Sequence, residues 1–65
     1  MKPLFEKEQK VFDNNLLVWK LAGMSGLIVI IKGDEVLGFE GNMERAYEKA
    51  LGLLGNQSFF LKEIK

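Results

Sequence analysis

Leu27-Ile28-Val29-Ile30-Ile31-Lys32-Gly33-Asp34-Glu35-Val36-Leu37-Gly38-Phe39-Glu40 is the stretch that organises this 65-residue chain. Two apolar runs flank Gly33-Asp34, and that arrangement reads as a β-hairpin closed by a two-residue primed turn. Such a turn sets Lys32 opposite Glu35, Ile31 opposite Val36, Ile30 opposite Leu37, Val29 opposite Gly38, Ile28 opposite Phe39 and Leu27 opposite Glu40. Side chains alternate along a strand. Ile28, Ile30, Leu37 and Phe39 are therefore expected on one face, and Leu27, Val29, Ile31 and Val36 on the other. Both faces are apolar, whereas a sheet with one face in water alternates apolar with polar. The second face is expected to be covered, with the first helix and another chain as the two candidates.

Beyond the hairpin, Asn42 reads as a helix cap. Met43, Ala46, Tyr47, Ala50, Leu51 and Leu54 then follow the i, i+3, i+4, i+7 spacing of one helical face, and Gly55 ends the helix. Ser58-Phe59-Phe60-Leu61-Lys62-Glu63-Ile64 reads as a last strand. Ahead of the hairpin, residues 3 to about 22 read as helical. Pro3 suits the first helical position, and Glu6 and Glu8 complement the helix dipole. Leu4, Phe5, Val11, Phe12, Leu16, Val18, Trp19 and Ala22 gather on one side, interrupted by Glu8 and Asn15, with Leu17 and Leu21 opposite. Asp13-Asn14-Asn15 is poor helix material and marks a place for a kink. Gly23 is placed to cap the helix in the left-handed region. The expected fold class is α+β, a three-stranded sheet of hairpin plus C-terminal strand packed with two helices, in the order α-β-β-α-β. Residues 1–65 are expected to form a single domain. Two strand orders stay open: the third strand antiparallel to the first, or parallel to the second.

Composition limits the chemistry. Nine Lys and Arg balance nine Asp and Glu, and the sequence holds neither Cys nor His. Disulfides and every Cys/His zinc pattern are thereby excluded. No basic stripe of the kind that nucleic-acid binders carry stands out, so no nucleic-acid partner is expected. The amino terminus lacks the pattern of a signal peptide. The uncharged run from 21 to 31 is too short to cross about 30 Å of hydrocarbon as a helix. No membrane association and a cytoplasmic location are the expectations.

The hairpin with its Gly-Asp-Glu-Val-Leu-Gly return, the helix carrying Ala46 and Ala50, and the closing Phe-Phe-Leu-Lys-Glu-Ile together resemble a family of very small prokaryotic proteins, a domain of unknown function. The matching residues are Gly26, Val29, Ile30, Val36, Gly38, Ala46, Gly55, Phe60, Leu61 and Ile64, within about residues 24–65. All are fold-forming. The resemblance implies the same α-β-β-α-β order and brings no activity, cofactor or catalytic residue.

Residues with chemical potential each have a plainer role. Ser25 and Ser58 sit where turns and caps use serine. Asp34 and Glu35 form the hairpin tip, and Glu40 and Glu44 flank a helix start. Neither pair has the spacing of a calcium loop. Gly38-Phe39-Glu40-Gly41-Asn42 leads into a helix N-terminus, where phosphate binds in other proteins, but its glycine spacing fits no nucleotide fingerprint, and Glu40 and Glu44 repel anions. Phe5, Phe12 and Trp19 recur every seven residues. The first reading of that spacing is core, and the second is an interface, where Trp and Phe are enriched. The expected interface residues are Phe5, Phe12, Trp19, Leu27, Val29, Ile31 and Val36. No catalytic, cofactor or metal residue is expected. The function expected is a small non-enzymatic interaction or regulatory module, a homo-oligomer or a binder of another protein, acting through an apolar face or sheet edge. The alternatives are an inhibitor of a larger enzyme encoded by a phage or mobile element, and a weak small-molecule or metal binder.

Overall fold

The computed structural model describes residues 5–65. Five elements follow one another: α1 (Glu6–Leu21), β1 (Ile28–Lys32), β2 (Glu35–Glu40), α2 (Met43–Leu54) and β3 (Phe60–Glu63). The strands form one antiparallel sheet in the order β2-β1-β3. This settles the strand order left open above: β3 lies beside β1 and runs against it. The two helices take opposite faces. Phe12 and Trp19 of α1 pack with Val29, Ile31 and Ile64 in one cluster, and Ala46 and Ala50 of α2 pack with Ile28 and Ile30 in another. The apolar character of both sheet faces thus has a cause inside the chain, because each face has its own helix.

Helix α1 begins at Glu6, and the Pro3 start and Leu4 lie outside the described residues. Phe5 precedes the helix with φ 61°, in the left-handed region that a non-glycine residue seldom occupies. Its ring lies 5.7 Å from that of Phe60. The Asp13-Asn14-Asn15 triplet does not break the helix. Asn15 Nδ2 donates back to the carbonyl of Val11, four residues earlier, at 2.8 Å. Gly23 takes the left-handed conformation, φ 78°. The Gly23 N–H donates to the Lys20 carbonyl, and the Met24 N–H to that of Trp19. Those two bonds make a Schellman motif, which satisfies carbonyls that the helix end would otherwise leave unpaired. At the other helix, Asn42 Oδ1 accepts from the Arg45 N–H at 2.8 Å.

The hairpin turns at Gly33-Asp34 with Lys32 opposite Glu35 and Ile31 opposite Val36. Beyond that point the expected register does not hold. Between Ile31 and Ile30 the ladder carries a bulge, so that Ile30 faces Gly38, Val29 faces Phe39 and Ile28 faces Glu40. Val36 and Leu37 together take the space opposite Ile31, and every later residue of β2 changes face. Phe39 turns to the α1 side, where its ring meets Trp19 edge-on at 5.4 Å. Glu40 turns to the α2 side, where it pairs with Lys49 at 3.3 Å. The bulge exchanges the two, sending the aromatic ring to the aromatic cluster and the carboxylate to the lysine.

Candidate functional site

The residues first expected at an interface are mostly interior to the chain itself. Val29 and Ile31 have no exposed surface, Phe12 and Trp19 are buried, and Phe5, Leu27 and Val36 are half-buried. The cover is α1. Phe12 meets Trp19 edge-on at 5.9 Å, and Met24, Leu27, Val36 and Phe39 close the cluster. Any partner of this chain therefore meets the outside of a helix or an edge of the sheet, since the Val29–Ile31 face is already filled.

The polar residues singled out above do not converge. Ser25 and Ser58 are exposed, and so are Asp34, Glu35 and Glu44. Glu40 pairs with Lys49. Among the described residues no group of three or more acidic side chains is placed to hold a metal ion. Glu8, which interrupts the apolar stripe of α1, has a role that spacing did not reveal. Its Oε2 accepts from the Gly33 N–H at 3.0 Å and ties the helix to the hairpin tip. The contact spans 25 residues, and only an acidic residue on an otherwise apolar face hinted at it.

Among the described residues two groups of large apolar side chains remain exposed. On the outer side of α1, Leu17, Val18 and Leu21 are 61–80% exposed. Val18 belongs with Leu17 and Leu21, a correction to its place in the buried stripe. On α2, Met43, Tyr47 and Leu51 are 42–51% exposed, although their spacing had read as one buried face with Ala46 and Ala50. The reason is the size of the alanines. They lie fully buried on the sheet and let the helix backbone come close. The larger side chains then hang off the flank of α2 instead of lying beneath it.

Met43 and Tyr47 of that flank lie beside β3. Tyr47 contacts Phe59 edge-on at 5.7 Å. Met43 shares with Leu16 and Lys20 of α1, and with Leu61 and Glu63, an open cleft of about 520 Å3 along the strand. Among the described residues no helix is long and apolar enough to cross a membrane. Compared with known proteins, the chain matches no family model, no curated protein and no solved structure.

Proposed function

We propose that this chain is a small, non-enzymatic interaction module of the cytoplasm that acts as a homodimer. One observation carries the reading. The sheet's two apolar faces are covered by the chain's own helices, yet among the described residues seven large apolar side chains stay 42–80% exposed, six of them in two runs of three. Single exposed apolar residues are ordinary, whereas contiguous ones mark surfaces that meet a partner. Among the described residues no polar side chain is buried and no acidic cluster converges. The test is the thermal midpoint over a wide series of protein concentrations, with sedimentation equilibrium alongside. Binding that favours the folded chain raises the midpoint with concentration by mass action. A dimer mass and a rising midpoint are expected, and a monomer whose midpoint ignores concentration would overturn the reading.

A further inference from the structure

The two sheet edges differ. On β2 the bulge distorts the ladder, and Lys49 lies over it, with Nζ only 3.0 Å from where a Cβ on Gly38 would sit. Bulges and lysines are devices that stop edge strands from pairing. On β3 the register runs without a shift from Phe60 to Glu63. Ile64 donates its N–H to the Leu27 carbonyl at 2.8 Å and accepts the Gly26 N–H at 2.6 Å. Backbone groups alternate in direction along a strand. Leu61 and Glu63 consequently direct their N–H and C=O groups away from β1, into the cleft between α1 and Met43. Lys62 lines the cleft along this edge together with Lys20 and Lys65, with Asp13 and Glu63 beside them. Lys62 Nζ folds back over α1, 4.9 Å from the centre of the Phe12 ring and 3.3 Å from Gln9 Oε1.

We propose that β3 of a second copy pairs antiparallel with β3 along this edge, joining two three-stranded sheets into one of six strands. The proposal rests on the homodimer reading above and assigns its surface. Self-pairing fits the order of residues in the strand. Outward-pointing residues must pair with outward-pointing residues, so the two-fold axis falls at one of a small set of positions. An axis at Glu63 sets glutamate against glutamate, which is unfavourable, whereas axes at Phe60 and Leu61 bring no like charges directly opposite each other, and of these two Leu61 is the outward-pointing residue. An axis at Leu61 sets Leu61 against Leu61 of the partner subunit, Lys62 against Phe60 of the partner subunit and Glu63 against Phe59 of the partner subunit. No like charges then sit directly opposite one another along the strands, and the chain as a whole is neutral. Antiparallel pairing of edges uses an axis normal to the sheet, which keeps both α2 helices on one face. Their overhanging Met43–Tyr47–Leu51 flanks then approach each other above the junction. That contribution matters for size. A standard interface takes about 800 Å2 from each partner, roughly a sixth of the 4588 Å2 surface, and a four-residue edge alone falls short of it.

Sedimentation equilibrium on four proteins tests the assignment. Glu63→Pro removes an outward N–H and an exposed side chain while leaving the β1 ladder intact. Met43→Lys/Tyr47→Lys charges the α2 flank, where both residues are half-exposed, so it serves even if the proline unfolds the strand. Leu17→Glu/Leu21→Glu charges the other apolar surface. The proposal expects the parent and the α1 variant to remain dimers. The dimer dissociation constant of Glu63→Pro should rise roughly tenfold to a hundredfold, because two symmetry-related bonds are lost. The α2 variant should weaken at least as much. Dimers in both β3-side variants, with a monomer in the α1 variant, would overturn the edge assignment and leave the homodimer standing. A monomeric parent would overturn both.

Discussion

Deleting Gly38 takes out the extra residue that the bulge accommodates in β2 and leaves the surroundings in place. On the turn side, Lys32–Glu35 and Ile31–Val36 stay paired. On the helix side, so do Val29–Phe39 and Ile28–Glu40. Leu37 moves opposite Ile30 and keeps to the α2 face, where it already packs against the cluster of Ile28 and Ile30. Phe39 keeps its contact with Trp19. No buried apolar group is lost, and a strand-interior glycine disappears, which is favourable by roughly 0.5–1 kcal/mol. The opposing term is crowding of Lys49, whose ion pair with Glu40 is partly exposed and worth about 1 kcal/mol at most. The deletion should therefore lie within about 1 kcal/mol of the parent, a small part of the roughly 3–10 kcal/mol expected for a domain of this size. Inserting an alanine between Gly38 and Phe39 does the reverse. It turns Phe39 away from Trp19 and forfeits about 1.5–3 kcal/mol of burial and about 0.5–1.5 kcal/mol of aromatic pairing. Urea unfolding at fixed protein concentration, followed by the fluorescence of the single tryptophan, measures both. A deletion that costs more than about 2 kcal/mol, or an insertion that costs nothing, would refute the claim that the bulge assigns the faces of β2.

Two further variants probe the covers on either side of the sheet. Ala50→Leu forces a larger side chain into the fully buried contact between α2 and the sheet and should cost about 1–3 kcal/mol; an unchanged urea midpoint would mean that α2 does not sit close. Ile64→Ala empties a position with no exposed surface and should cost about 2–5 kcal/mol. A loss under 1 kcal/mol in the same titration would show that Ile64 does not hold the α1 cluster together.

The order of elements was legible because each element announces itself locally. Gly33-Asp34 sets its own turn, Gly23 takes the positive φ of a helix end, and Asn42 accepts from Arg45 within the same turn. The candidate surface was less legible. Helical spacing gathered Met43, Tyr47 and Leu51 with Ala46 and Ala50, since spacing records direction around an axis and says nothing about depth. Depth follows from how closely α2 approaches the sheet, and small side chains allow a close approach that leaves their larger neighbours at the side.

Sequence alone therefore determined α-β-β-α-β, the turn, the caps and two apolar sheet faces, all set by contacts a few residues apart. Tertiary structure decided what covers those faces, where β3 joins, and the register beyond Val36. A period-of-two reading carries the turn register along the whole strand, and nothing within four residues of Leu37 opposes it except the glycine beside it. The opposing contacts are Phe39 with Trp19, twenty residues back, and Glu40 with Lys49 on the next helix. Those pairings exist only once the helices have packed on opposite faces, and the bulge is how the strand meets both.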